Sequence, residues 1–181
     1  MTMAIDNRNR RVLVREAAGN EDREAAFGIR RRVFVDEQNV PLEHEHDAID
    51  SDAVHVIASI DGKPVAAARL FIDSHDQHLA WIGRLAVLPE SRHTGVATEI
   101  MRFLLDWSRR HGITRVRLHA QEYVHELYLK LGFTPCGDIF LEENIPHREM
   151  ELCLNDNLDV TYDDHPGSIR EIPVRKTKLR I

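Results

Sequence analysis

The stretch Leu85-Ala86-Val87-Leu88-Pro89-Glu90-Ser91-Arg92-His93-Thr94-Gly95-Val96-Ala97-Thr98 joins an apolar run, a polar turn and the start of an amphipathic segment. In that order a helix begins directly after a strand. The helix's first N–H groups have no intrahelical acceptor, and its dipole is positive there, which suits a diphosphate. Gly95 removes a Cβ where an anion must approach, and Ala97 keeps the next turn open. Arg92 can add a forked, charge-assisted contact. The pattern has neither the Lys-Ser/Thr of a P-loop nor the three glycines of a dinucleotide fingerprint, so those ligands are disfavoured. Taken alone, strand, turn, glycine and helix also make an ordinary packing device.

Two other groups could do chemistry. His44-Glu45-His46-Asp47 has metal-ligand residue types, but no distant Cys/His pair completes a tetrahedral site. It reads as a solvated loop, and no metal is expected. Cys136 and Cys153 lack a CxxC spacing and a triad-like neighbourhood, so they read as packing residues in a reducing compartment. Eleven histidines permit pH sensitivity between about 5 and 8 without saying where.

These residues need a scaffold. Val12 to Val14 is β-like, and Asn20 reads as the N-cap of a helix with Ala25, Ala26, Ile29, Val33 and Phe34 as its apolar stripe. Asp36 to Asp52 is a long polar connector, the kind that often carries function. Ala53 to Ile60 and Pro64 to Ile72 form a hairpin about Asp61-Gly62, and Leu79 to Leu88 is a further strand. Val96, Ile100, Phe103, Leu104, Trp107 and His111 make one helical stripe between Gly95 and the stop signal Gly112. Strands are expected at 115–120, 136–141 and 149–154, with a short helix over 123–131. The order β-α-β-β-β-α-β-α-β-β implies an α/β (α+β) fold, a mixed sheet with helices packed on it.

Composition sets the outer limits. A chain of 181 residues with 43% hydrophobic and 30% charged residues is an ordinary globular mixture, one domain by size. Net charge −6 and 6% aromatic residues argue against nonspecific nucleic-acid binding, and no run reaches the length of a membrane span. Residues 1–11 read as a flexible, polar N-terminus without a signal-peptide core, so the expected location is cytoplasmic. Residues 12–154 hold the domain. Residues 155–181 read as an acidic linker and a basic end, either a solvated tail, an added edge strand using Ile172 and Val174, or a partner-docking arm.

Arg92-x-x-Gly95-x-Ala97 resembles the Q/R-x-x-G-x-G/A signature of the GNAT (GCN5-related) N-acetyltransferases, and Leu127-Tyr128-Leu129-Lys130-Leu131-Gly132-Phe133 resembles that family's L-Y-x-K-x-G-F segment. Arg32 to Gln38, Asp47 with Asp50, His55, Ala68-Arg69-Leu70, Ile82 to Val87, Ala120-Gln121 and Ile145-Pro146-His147 with Met150 resemble the ElaA-type subgroup. The resemblance covers roughly 12–154. It implies a mostly antiparallel GNAT sheet with helices on both faces and a splay between two parallel strands, here the strand ending at Val87 and that at 115–120.

It further implies acetyl-CoA as cosubstrate. Leu85, Ala86 and Val87 would pair with the pantetheine arm, and Arg92, His93, Thr94, Gly95, Val96, Ala97 and Thr98 would hold the diphosphate. Gln121 stands where many family members carry Asn. An N–H near Val87 would serve as oxyanion donor, and Tyr128 as general acid for the CoA sulfur. The acceptor implied is an amine of a small molecule or peptide. An alkylamine of pKa ~10.4 is almost wholly protonated at pH 7, a deficit of about 4–5 kcal/mol in nucleophile. A base is therefore useful, and Glu37, His119, Glu122 and His147 are the candidates. Small enzymes of this kind commonly pair, so a homodimer is expected. The other reading is a non-catalytic acyl-CoA-binding module whose basic tail docks a partner.

Overall fold

The computed structural model describes residues 11–154 and the short strand at 170–173. Residues 1–10 of the expected N-terminal segment and most of the linker and basic end fall outside the described residues, while Arg11 opens a strand. Nine described strands form one sheet in the order β6-β8-β5-β4-β3-β2-β1-β9, with β7 paired to β8. The strands are β1 (Arg11–Glu16), β2 (Val54–Ile60), β3 (Lys63–Ile72), β4 (Leu79–Val87), β5 (Arg115–Gln121), β6 (Thr134–Pro135), β7 (Phe140–Glu142), β8 (Ile145–Cys153) and β9 (Arg170–Pro173). The helices are α1 (Gly19–Arg30), α2 (Leu42–Glu45), α3 (Val96–Arg110) and α4 (His125–Lys130). β4 and β5 are the parallel pair; every other pairing is antiparallel.

Two apolar layers hold the sheet. On one face Val56, Ala58, Ala66, Ala68 and Leu70 pack with Ile100, Met101, Leu104 and Trp107 of α3, and with Tyr128 and Phe133. On the other, Ile57, Ala67 and Ala86 meet Ala26 and Ile29 of α1. Alternate residues of one strand thus serve opposite layers. β2 is buried on both sides, more fully than a half-buried alternating strand. Asp61 and Gly62, at φ 51° and 77°, make the tight two-residue turn expected between β2 and β3.

Several local expectations are corrected. Asn20 lies inside the first turn of α1, whose cap position is Ala18. The cap is made in reverse: the Ala18 N–H donates to the Asp22 carboxylate at 3.0 Å, which Arg15 also grips. The supposed connector after α1 is largely helical, with wide π-type turns over Arg31–Glu37, then α2 and a 3-10 turn at Ala48–Ser51. Past Gly132 the chain turns at Glu143-Asn144, both at positive φ, so that β7 and β8 form a hairpin and β8 begins at Ile145. Cys153 is exposed and is not a packing residue; Cys136 is half-buried.

His44-Glu45-His46-Asp47 is a solvated loop only in part: His44 and His46 are exposed, but Glu45, like Asp50 beyond it, is buried. Arg30 donates to Glu45 (2.5 Å) and, through both Nη atoms, to Asp50 (2.7 and 3.0 Å). Arg69 makes a two-pronged pair with Asp47 (2.7 Å each) and reaches Asp50 at 2.9 Å. Burial opposes charge on Asp50, yet the two guanidiniums hold its carboxyl well below the usual range. Such pairing is what permits full burial of these charges. No group of three or more His, Cys, Asp or Glu residues among the described residues is arranged for a metal. No helix of the described residues is long and apolar enough to cross a membrane.

Candidate active site

β4 and β5 pair only through Leu79↔Arg115, Ala80↔Val116 and Trp81↔Arg117. Beyond those pairs β4 continues to Val87 beside β3, and β5 continues to Gln121 beside β8, so the sheet opens between them. A bulge in β4 contributes. Ala67 pairs with Ala86 but Arg69 with Gly83, leaving Arg84 and Leu85 opposite one residue, with Arg84 at φ 53°. Such a bulge bends the strand and re-aims its side chains. Arg84 turns to the α2 segment, donating to the carbonyls of His44 (2.7 Å) and Glu45 (3.2 Å).

Backbone polarity at the opening follows from register. The Leu88 N–H donates to Val65 (2.9 Å) while Val87 sits opposite Ala66. Val87 therefore occupies a non-hydrogen-bonded site of the ladder, and its own N–H and C=O point away from β3, into the splay. The side chains of Leu85 and Val87 pack against the α3-side layer, and Ala86 packs on the α1 side.

Past Val87, Leu88 and a 3-10 turn over Pro89–Ser91 lead to His93 at φ 60° and Gly95 at φ 89°, the residue before α3. A Cβ at Gly95 would meet nothing within 4 Å. The glycine is therefore required by its left-handed backbone, and the space in front of it is open. Among the described residues no acceptor is found for the backbone N–H groups of His93, Thr94, Gly95, Val96, Ala97 and Thr98, whereas Glu99 N–H bonds to Gly95. Thr94 Oγ1 donates to Ser91 (2.6 Å) and tightens the turn. This is a row of unused donors at the positive end of a fifteen-residue helix.

Arg92 is engaged. Its Nε donates to the Val87 carbonyl (3.0 Å), and Nη1 and Nη2 donate to Glu37 (2.8 and 2.6 Å). Hydrogen bonding from Arg92 holds the Glu37 carboxyl below the usual range. Next to Glu37, Gln38 accepts from Gln121 Nε2 (3.0 Å) and donates to the Tyr123 hydroxyl (3.2 Å). Glu37 and Gln38 thus bridge the open ends of β4 and β5.

His119 lies elsewhere, on the α1 side of β5, since Val116, Leu118 and Ala120 face the α3 layer. Its Nδ1 is 2.9 Å from Glu142 Oε2, and Trp81 and Phe140 stand edge-on to the ring at 5.5 and 4.8 Å. The hydrogen bond to His119 holds the Glu142 carboxyl below its ordinary value, with His147 and Arg84 adding to it. His147, opposite both Gln121 and Phe140, bonds through Nδ1 to the Ile145 carbonyl (2.8 Å). Glu122 lies near Arg148 at 3.6 Å.

Tyr128 is on the other side of the sheet, buried with Phe133 at 6.0 Å, and burial pushes its phenol well up. The two sets of candidates therefore flank the splay from opposite faces. A cavity of about 270 Å³ lined by Asp52, Phe71, Asp73, Ser74, Gln77 and Trp107 sits at the far end of β3 and contains none of them.

A profile of the Acetyltransferase (GNAT) family matches residues 20–133. The chain belongs to that family. It is 33% identical over 136 residues to an uncharacterized N-acetyltransferase of Bacillus subtilis, YjcF, covering 74% of this chain and 94% of the relative. It is 30% identical over 125 residues to the ElaA protein of Escherichia coli strain K12, covering 68% and 82%. The crystal structure of E. coli ElaA superposes with TM-score 0.70 at 26% identity, covering 77% of this chain and 98% of that one. That of an acyl-CoA N-acyltransferase from Pseudomonas aeruginosa gives 0.67 at 29%, covering 77% and 97%.

Sequence reading did not single out Tyr123 or Glu142, and it quoted Arg84 only within Ile82 to Val87 without foreseeing the bulge there. Gly83 inside a strand was a usable signal for the bulge at Arg84. Nothing local marked Glu142, whose partner is 23 positions away.

Proposed function

We propose that this GNAT protein is an acetyl-CoA-dependent N-acetyltransferase of the ElaA-like group, acting on a primary amine of a small molecule or peptide. The observation that carries the reading is the unbroken run of unpartnered N–H groups from His93 to Thr98 beside the mouth of the splay. Those groups bind the diphosphate, with Arg92 beside them. The pantetheine arm enters the splay along Leu85, Ala86 and Val87 and reaches Gln121. The Val87 N–H, aimed into the opening, stabilises the oxyanion that forms on the thioester carbonyl.

The amine approaches from the α1 face. His119, with Glu142 on its Nδ1, takes the ammonium proton. Glu37 is the weaker candidate base, because a carboxylate is a poorer proton acceptor than an imidazole near neutral pH. The free amine attacks the carbonyl carbon, the C–S bond breaks, the thiolate leaves towards Tyr128, and the nitrogen's extra proton passes to solvent as the amide forms. A CoA thiol has a pKa near ~8.5 and the Tyr128 phenol is held above its own ordinary ~10, so full proton transfer is uphill. Tyr128 therefore acts chiefly as a hydrogen-bond donor to the developing thiolate.

Calorimetry with acetyl-CoA tests the cradle. Micromolar binding that weakens about tenfold in Arg92→Ala is expected, and no binding by the wild type overturns the reading. Thiol release is then followed with spermidine, benzylamine and a tripeptide with a free N-terminus. Binding without amine-dependent release, together with no effect of Tyr128→Phe, would instead favour a non-catalytic acyl-CoA-binding module.

A further inference from the structure

Arg92 has five N–H donors, and three are already used, one on Val87 and two on Glu37. The Glu37 carboxylate is thus held at the edge of a turn whose free N–H groups await a dianionic group. Two anions beside one guanidinium repel each other, most strongly where water is partly excluded. We propose that Glu37 and the diphosphate of acetyl-CoA compete for Arg92, so that cofactor binding releases the Glu37 carboxylate at the mouth of the splay, where it binds the ammonium of the incoming acceptor. The inference rests on the acetyltransferase reading above and adds an exchange of partners at Arg92 and a cation site.

Four features support it. The Glu37–Arg92 pair is half-exposed, with side-chain exposures of 39% and 35%, so exchanging partners costs little desolvation. Gln38 is fixed independently, to Gln121 and Tyr123, so the segment stays across the opening after Glu37 lets go. Arg32 is committed to Glu90 (3.1 Å) and does not replace Arg92 as the counter-ion. Glu37 is also the last residue of the wide π-type helical turns, a geometry that recurs at functional sites. Without cofactor the ammonium site is filled by Arg92; with cofactor it becomes a free carboxylate.

The test is calorimetry of wild type and Glu37→Gln with two ligands, acetyl-CoA and S-acetylpantetheine, which lacks the diphosphate. Competition predicts three- to tenfold tighter acetyl-CoA binding by Glu37→Gln and no change for S-acetylpantetheine. Unchanged or weaker acetyl-CoA binding by a variant with wild-type circular dichroism overturns the proposal and leaves the acetyltransferase reading standing. If the wild type binds no acetyl-CoA, both fall. The cation site is read from the KM of whichever panel amine turns over: a rise of tenfold or more in Glu37→Gln at pH 7 with kcat within threefold is expected. A KM that does not move overturns the ammonium site even where acetyl-CoA binding tightens.

Discussion

The molecule contains two arginine–carboxylate clusters built from the same functional groups. Around Arg30 and Asp50 the side chains are 0% and 1% exposed, and each guanidinium satisfies two acidic groups. Around Arg92 and Glu37 the exposures are 35% and 39%, and one arginine meets one carboxylate. The first cluster ties α1, the 36–52 segment and β3 together, and through Arg84 it joins that segment to the bulge in β4. Its charges cannot return to water without unfolding, so it is architecture. The second can trade its partner for solvent or ligand at little cost. Burial, more than residue type, decides which arginine holds the fold and which is available to a substrate.

The sharpest break in the comparison is Arg30→Ala. It leaves Glu45 buried without its counter-ion and Asp50 with Arg69 alone, and should cost about 3–5 kcal/mol, a large part of a domain's stability. Urea titration measures it, and Arg30→Lys, which keeps the charge and loses the fork, should recover only part. The same cluster sets acid sensitivity. Burial alone would raise both the half-buried Asp47 and the buried Asp50, but Arg69, with Arg84, holds Asp47 below its ordinary carboxyl value, and Arg30 and Arg69 hold Asp50 below it. A depressed folded pKa stabilises fully above the unfolded value of ~3.9, and the stability drains as pH falls below it. Wild-type stability should thus drop steeply below about pH 4. In Asp50→Asn, weaker at neutral pH, that dependence should be shallower.

Next in size is Tyr128→Phe, which removes one oxygen and no packing. Thiol release should slow about 10²-fold, the low end for acid–base groups, because the donor only hydrogen-bonds a thiolate that is already a fair leaving group. Acetyl-CoA affinity should stay within twofold. A rate within threefold of wild type would remove Tyr128 from the mechanism and leave it as the core residue its burial alone suggests.

The two clusters also differ in how legible they are. Pattern spacing located the α3 stripe and the Asp61-Gly62 turn, because periodicity and turn chemistry are local properties. Gly95 could be read as the glycine that opens α3 for the same reason. The buried cluster could not be read, since Glu45 and Asp50 look like any acids in a polar stretch until Arg30, 15 and 20 positions earlier, and Arg69 close over them. Glu37 and Arg92 were each visible as candidates, but 55 positions separate them, and their mutual pairing is a product of the fold. The β7–β8 hairpin was missed because Glu143 and Asn144 both adopt positive φ without a glycine to announce it.

The smallest expected effect is the one that most cleanly separates the clusters. A double-mutant cycle on Arg92→Ala and Glu37→Gln, read by thermal and urea unfolding without cofactor, should give a coupling of only ~0.2–1 kcal/mol, the range of exposed ion pairs. Raising the salt from 0.05 to 0.5 M should erase most of it, because the charges are within reach of counter-ions (the Debye length is ~10 Å at 0.1 M and shorter above). The penalty of Arg30→Ala should barely change over the same range, since no ion can enter to replace the missing guanidinium. A coupling above about 2 kcal/mol that survives high salt would mean that the Arg92–Glu37 pair is structural, and an arginine so committed to folding would be a poor one to surrender to a diphosphate.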